Sequence, residues 1–170
     1  LLQLYPYIEE LVWLTTRPLR SKGQDRNRIN VSLPEFNRLA EFDELVLVQN
    51  IYGHHYGLRK KDLLPSLGIK LTELHPDNML EALKINPAIL AIGFVTSDIS
   101  LLHERLSVMR KTESIAEIEK RITTAKIEIE TILQRKSLFV SVIEVTKAEE
   151  PLILDKVLTV LIPHLKKKEG

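Results

Sequence analysis

Residues 88–95 read A-I-L-A-I-G-F-V and contain no polar side chain. A strand without a polar face must be covered on both sides, which is typical of parallel sheets in α/β proteins. Residues 11–16 form a second apolar run rich in β-forming residues, and residues 139–145 are also rich in β-forming residues. Residues 114–134 instead carry apolar side chains at helical spacing. Strands that alternate with helices predict a three-layer α/β domain with a mostly parallel sheet.

Shorter sequence patterns between these runs predict further helices, strands and loops. Ser32 is followed by Pro34 and Glu35, the pattern of a capping box at the start of a helix. Residues 45–56 alternate and carry a glycine, which predicts a hairpin-like strand pair. Residues 17–29 are charged and hold Gly23 and Asp25, which predicts a loop. The other predicted elements are the end of a helix before Pro6, helices at 61–67, 76–83, 98–109 and 151–165, and a strand at 69–74.

The composition limits the classes of function. A chain of 170 residues with 44% hydrophobic content can form one domain with a sizeable core. Its 24 basic and 23 acidic residues nearly balance, which argues against binding nucleic acid or an anionic membrane. There is no cysteine, hence no disulfide and no thiolate metal site, and this fits a cytoplasmic protein. Because the sequence lacks an initiator Met, we expect it to begin inside a longer gene product.

Two arginines stand at the end of the first apolar run. Arg17 and Arg20 are three residues apart, and Tyr56-Gly57 follows in a segment that predicts a tight turn. Guanidinium groups match phosphate oxygens in bidentate geometry, and a phenol can complete such a site. Taken alone, two arginines near a proline usually indicate a solvated loop.

The order of several motifs makes the signal more specific. The chain reads TTRPLR at 15–20, EF at 35–36, YG at 56–57, RLSVMRKTES at 105–114 and EKRI at 119–122. This set resembles the guanylate kinase-like family of the P-loop nucleoside monophosphate kinases. The resemblance implies a single domain over residues 1–170, an acceptor-binding subdomain near 28–70 and a helical lid near 108–124.

The resemblance also implies roles for individual residues. Arg17, Arg20 and Tyr56 would hold an acceptor phosphate. Arg105, Arg110 and Arg121 would close over the donor nucleotide and neutralise the phosphoryl group in transfer. For Arg121 an alternative stays open, because Glu117 four residues earlier can form an ordinary helix-surface pair with it. ATP and Mg²⁺ are the implied cofactors, but the family's G-x-x-x-x-G-K-[ST] loop does not occur in these 170 residues.

The sequence departs from the family at the positions whose side chains bind the guanine base. The positions of the guanine-binding side chains hold Leu14, Leu47 and Leu58, with Glu73 near His75 as a substitute carboxylate. Leucine cannot accept the hydrogen bonds that guanine donates, so we expect an acceptor other than GMP. The three leucines are predicted to form an apolar wall suited to a sugar or an unusual base.

Two classes of function remain. The first is an ATP-dependent phosphotransferase that acts on a phosphorylated small molecule or nucleotide, as the ribose bisphosphate kinases of the superfamily do. The second is a non-catalytic domain that binds a phosphorylated ligand or protein partner, as in membrane-associated scaffolds, or a decayed homologue without a ligand. No metal site is expected, because the adjacent His54 and His55 point apart in a strand or turn. Whether the chain forms a homodimer stays open.

Overall fold

A computed structural model describes residues 1–20, 25–109, 114–147 and 150–165. The chain divides into two compact units, Leu1–Ile89 and Leu90–Gly170, each with its own helices and strands. It is a mixed α/β protein. The elements of the first unit are β1 (Glu9–Glu10), β2 (Trp13–Thr15), β3 (Arg28–Asn30), α1 (Leu33–Glu41), β4 (Leu45–Ile51), β5 (His54–Arg59), α2 (Lys60–Leu63), β6 (Lys70–Leu71), a 3₁₀ turn (Pro76–Asn78) and α3 (Met79–Ile85).

The main sheet of the first unit is mixed. Its strand order is β3-β2-β5-β4, with β2 parallel to β3 and antiparallel to β5, and with β4 antiparallel to β5. The strands β1 and β6 form a separate parallel pair. The predicted mostly parallel sheet is therefore wrong for this unit. The predicted hairpin is confirmed. It makes the sheet mixed, because its strands β4 and β5 are antiparallel to each other and β5 is antiparallel to β2.

The turn of this hairpin lies at Tyr52-Gly53. Both residues have positive φ, 51° and 81°, as two-residue hairpin turns of type I′ require. Tyr56-Gly57, predicted as a tight turn, instead lies inside β5, where Tyr56 is opposite Thr15 of β2. An added Cβ at Gly57 would stand 3.3 Å from Phe36 Cζ. Close packing of α1 on the sheet therefore explains this glycine.

The sheet has a buried cluster on each face. Leu14 and Leu45 pack with Phe36 and Leu39 of α1. The other cluster is Leu11, Trp13, Val46, Leu47, Leu58, Leu63 and Ala82, with Tyr56 packed against it. Ser32 caps α1 as predicted by accepting a hydrogen bond from Glu35 N. The Glu35 carboxylate accepts from Arg38 instead of from the backbone of Ser32. The Ser32 half of the predicted capping box is therefore formed, and the Glu35 half is not.

The second unit contains β7 (Ile92–Val95), α4 (Ile99–Met109), α5 (Ile115–Gln134), β8 (Ser141–Glu144) and α6 (Ile153–Leu165), with 3₁₀ turns at Lys136–Leu138 and Glu150–Leu152. The strands β7 and β8 are parallel. The capping box of α5 is complete, with Ser114 and Glu117 bonded reciprocally.

Several predicted strands and helices are shorter in the structure. The apolar run at 88–95 is a strand only from Ile92, and Phe94 within it is 47% exposed. The helix predicted at 61–67 is the four-residue α2, and the strand predicted at 69–74 is the two-residue β6. Within the described ranges, no helix combines the length and apolar character needed to cross a membrane.

Candidate functional site

The backbone at Arg17 is held by neighbouring strands. Arg17 follows β2, and its N–H donates to Thr15 Oγ1 at 3.1 Å. Its carbonyl oxygen accepts from Asn30 Nδ2 of β3 at 2.9 Å. The next residue back, Thr16, bonds to the backbone of His55 in β5 through its N–H and its hydroxyl. The start of the Arg17 side chain is thereby fixed relative to both strands beside β2.

The guanidinium of Arg17 has three partners. Nε donates to Tyr56 Oη at 3.1 Å, and Nη2 donates to Asp25 Oδ1 at 2.6 Å. Nη1 donates to the carbonyl oxygen of Pro18 at 3.1 Å. The side chain is 16% exposed, so this cation is largely withdrawn from solvent but still reachable. We call Arg17, Asp25 and Tyr56 the Arg17 site.

Asp25 is the centre of this arrangement. Its side chain is only 4% exposed, and its second oxygen accepts from the Arg20 backbone N–H at 2.7 Å. Arg28 Nη1 lies 3.8 Å from the Oδ1 atom that Arg17 also contacts. Arg28 in turn forms an ion pair with Glu73. A single buried carboxylate thus organises three arginines.

The contacts within the site shift two pKa values. Burial alone would raise the pKa of Asp25, but hydrogen bonds from Arg20 N–H and Arg17, and the positive charges nearby, bring it below its ordinary value. Burial likewise opposes the charge of Arg17, yet the bonds to Asp25 and Tyr56 hold its pKa above the usual range. The site therefore contains a permanent cation and its carboxylate counter-ion at neutral pH.

The structure brings most of the predicted acceptor residues together. Arg17 and Tyr56 are in direct contact, Arg20 contributes its backbone to Asp25, and Glu73 joins through Arg28. Asp25 was missed, because the sequence indicated only a charged loop there. A signal was present: Asp25 is the only acidic residue between Arg17 and Arg28. Residues 21–24 of that predicted loop lie outside the described residues.

The three leucines predicted to form an apolar wall belong to the core. Leu14, Leu47 and Leu58 are 2%, 0% and 0% exposed, so that prediction is wrong. Leu47 sits at an irregularity in the pairing of β4 with β5 and has a positive φ of 54°. Its N–H donates to Glu81 Oε1 of α3 at 3.2 Å. This hydrogen bond satisfies a donor that the irregular pairing leaves without a strand partner.

The predicted lid arginines belong to the second unit. Arg105 is on α4 and Arg121 on α5, both half-buried, while Arg110 lies outside the described residues. The helices α4 and α5 pack together and enclose an open pocket of about 450 Å³, lined by Ile99, Ser100, His103, Glu104, Glu119, Ile122 and Lys126. Arg105 and Arg121 are not among these lining residues. Their action on a donor nucleotide stays a prediction.

The two adjacent histidines occupy β5. The ring of His55 packs against Phe36 of α1, with ring centroids 5.5 Å apart. His55 therefore contributes to the packing of α1 on the sheet. In the part of the chain that the structure describes, no group of three or more His, Asp or Glu side chains is arranged to hold a metal ion.

Comparison with known proteins identifies the fold. No family model matches the sequence. Among solved structures, the chain is similar to the guanylate kinase from Anaplasma phagocytophilum, with a TM-score of 0.69 and 18% sequence identity. The match covers 95% of this chain and 78% of that one. The chain therefore has a guanylate kinase-like fold.

Proposed function

We propose that the Arg17 site binds the phosphate of a small phosphorylated acceptor, as the acceptor half of an ATP-dependent phosphotransferase. One observation carries this proposal. A guanidinium that is 16% exposed is fixed at the end of β2 between Tyr56 Oη and the buried Asp25. Its position in a guanylate kinase-like fold supports the same role.

The arrangement suits an anion because its donors are already oriented. Tyr56 Oη accepts from Arg17 Nε, so the phenolic proton is left to donate to a phosphate oxygen. Asp25 holds Arg17 in place, which reduces the ordering that ligand binding would otherwise require. Arg20, whose backbone is bonded to Asp25, is proposed to supply a second guanidinium from its exposed side chain.

The donor side of the proposal depends on residues beyond this sequence. The 170 residues contain no G-x-x-x-x-G-K-[ST] loop, and they do not by themselves form a donor-phosphate site of that type. ATP and Mg²⁺ are proposed only for a full gene product that carries such a loop, where they would supply the phosphoryl group. Arg105, Arg110 and Arg121 are proposed to neutralise the charge of that donor.

The acceptor is proposed to be a molecule other than GMP. By the resemblance, the carboxylate that binds the guanine edge would stand at position 47. Leu47 has no hydrogen-bonding side chain and is completely buried. A site built on that carboxylate loses orders of magnitude in discrimination when it is removed.

A second candidate function uses the same site. A phosphate site without a donor loop in these 170 residues also suits a non-catalytic domain that binds a phosphorylated ligand or protein partner. The two functions differ in phosphoryl transfer and agree on phosphate binding. Phosphate binding is therefore tested first and phosphoryl transfer second.

The first test is binding of orthophosphate and ribose 5-phosphate to the full gene product by calorimetric titration. Arg17→Gln should weaken both by at least about tenfold, because charge-assisted hydrogen bonds contribute about 1.5–3 kcal/mol. Tyr56→Phe should weaken both by a smaller factor. The control is Arg38→Gln, since Arg38 is exposed on α1 and pairs with Glu35. Equal affinities for the wild type and Arg17→Gln would contradict the proposal.

The second test separates the two functions. The same protein is incubated with Mg·ATP and the bound acceptor, and transfer of the γ-phosphate is measured. Transfer that is lost in Arg17→Gln supports the phosphotransferase. Binding without any transfer supports the non-catalytic alternative.

A further inference from the structure

Gln49 lies directly beside Tyr56 in the sheet. The pairing of β4 with β5 is irregular between Val46 and Gln49, and beyond that irregularity Gln49 is opposite Tyr56. Directly opposed residues of antiparallel strands project to the same face, with Cβ atoms about 4.5–5.5 Å apart. Gln49 therefore stands on the face of the sheet from which Tyr56 reaches Arg17.

A second amide is bonded to Gln49. Asn78, in the 3₁₀ turn before α3, donates from Nδ2 to Gln49 Oε1 at 3.2 Å and to the Leu47 carbonyl oxygen at 3.5 Å. Both partners are acceptors, so they fix which end of the Asn78 amide faces β4. The Asn78 Oδ1 atom is then left as an acceptor and Gln49 Nε2 as a donor.

These two atoms are available to a ligand. In residues 1–20 and 25–89 of the first unit, neither Gln49 Nε2 nor Asn78 Oδ1 has a hydrogen-bond partner. Both residues are half-buried, and no fully buried side-chain nitrogen or oxygen among the described residues lacks a partner. Both atoms are therefore open to solvent. A neutral donor and a neutral acceptor stand next to each other beside the Arg17 site.

We propose that Gln49 and Asn78 determine specificity by binding the uncharged part of the acceptor. This inference rests on the proposed function, in which Arg17 and Tyr56 hold the acceptor phosphate. The complementary ligand group presents one hydrogen-bond acceptor and one donor side by side. The hydroxyls of a sugar have this chemistry, and so does the N3–H and O4 edge of uracil.

The pair matches a different edge of guanine from the one that a carboxylate binds. A carboxylate accepts from both the N1–H and the 2-amino group of guanine. Gln49 Nε2 and Asn78 Oδ1 instead match an acceptor beside a donor, such as guanine O6 and N1–H. On the N1–H and 2-amino edge, Gln49 Nε2 would meet a second donor and both would be left without partners, which costs affinity.

A purely structural role makes a different prediction. Asn78 and Glu81 both contact the backbone of Leu47, so the amide pair could serve only to support the irregular pairing of β4. In that case substitutions at Gln49 would change stability and leave the preference among ligands unaltered.

The test is equilibrium binding of orthophosphate, ribose 5-phosphate, UMP and GMP to the full gene product. Gln49→Leu should bind orthophosphate like the wild type, and ribose 5-phosphate or UMP about three- to tenfold more weakly, the range for one or two neutral hydrogen bonds. Gln49→Glu replaces the donor with an acceptor of equal shape and should move the UMP-to-GMP preference towards GMP. Gln134→Leu, an exposed position on α5, is the matched control.

The ligands separate the sources of the chemistry. Weaker binding of UMP with unchanged ribose 5-phosphate assigns the pair to a base, and weaker binding of both assigns it to the sugar. The inference is overturned if Gln49→Leu and Gln49→Glu keep the wild-type ratios of affinity among all four ligands. It is also overturned if their affinity for orthophosphate falls as much as their affinity for the larger ligands. Arg17→Gln is titrated alongside: unchanged orthophosphate binding in that variant overturns the proposed function itself. Fluorescence of Trp13, the only tryptophan, verifies that each variant is folded.

Discussion

Replacing Asp25 with asparagine keeps the shape of the side chain and removes its charge. Asp25 accepts from Arg17 Nη2 at 2.6 Å and from Arg20 N–H at 2.7 Å. Asparagine can keep only one of these two acceptors as an oxygen. The substitution therefore leaves the guanidinium of Arg17 without its counter-ion in a place where water cannot fully replace it.

The expected loss follows from burial. Removing one partner of a buried ion pair costs about 3–5 kcal/mol, because the other charge stays uncompensated. Arg17 is 16% exposed and keeps Tyr56 and Pro18 as partners, so the low end applies, about 3 kcal/mol. For a chain of this size, 1 kcal/mol corresponds to about 2–4 °C, which predicts a fall in Tm of about 6–12 °C.

The pH dependence gives an independent check. Because folding lowers the pKa of Asp25 below its ordinary value of 3.8, its contribution is complete above that pH. The contribution is lost as the pH falls below 3.8 towards the folded-state pKa. The difference in unfolding free energy between the wild type and Asp25→Asn should thus be constant from pH 7 to pH 5. It should shrink in more acidic solution.

The assay is urea unfolding followed by the fluorescence of Trp13, which is 3% exposed in β2. The control is Asp43→Asn, because Asp43 pairs with Lys60 on the surface and exposed pairs contribute about 0–1 kcal/mol. An Asp25→Asn midpoint equal to that of the wild type at pH 7 would refute the reasoning. A difference that persists undiminished into strong acid would refute the assigned counter-ion role.

Two further predictions concern packing. Leu47→Glu should lower the free energy of unfolding by more than about 3 kcal/mol, because a carboxylate at a position with 0% exposure loses its hydration. Urea unfolding measures the stability of the variant, and titration measures its affinity for GMP. A stable variant that binds GMP would contradict the burial argument. Gly93→Ala should lower Tm by an amount equivalent to about 1–3 kcal/mol, because the added Cβ would stand 2.7 Å from Ile132 Cγ2. Gly68→Ala, with open space around its Cβ, is the control in thermal unfolding by circular dichroism, and equal Tm values for the two variants would count against the predicted clash.

Local signals in the sequence predicted the features that depend on a few neighbouring residues. The hairpin between β4 and β5 follows from alternation around a glycine, and α5 follows from apolar residues at helical spacing over residues 114–134. A common site for Arg17 and Tyr56 was also predicted, and the two side chains are in contact although 39 residues separate them. That prediction came from the order of motifs in a known family and not from local physics.

Features that depend on contacts across the fold were missed. The strands predicted at 88–95 and 69–74 are too long, because both segments continue past the residues that form hydrogen bonds with a partner strand. The mixed direction of the sheet also escaped prediction. An apolar run states that a strand is buried and does not state which neighbour it pairs with.

The sequence alone determined the hairpin, the cap of α1 at Ser32 and the approximate positions of the longer helices. Each of these is encoded by residue type and by spacing within about one turn or one strand pair. Only the tertiary structure decided that Asp25 is the buried counter-ion of Arg17, that Leu47 belongs to the core, and that Gln49 faces the site. The physical reason is that burial, charge pairing and strand register arise when distant segments of the chain meet, and no local pattern specifies those meetings.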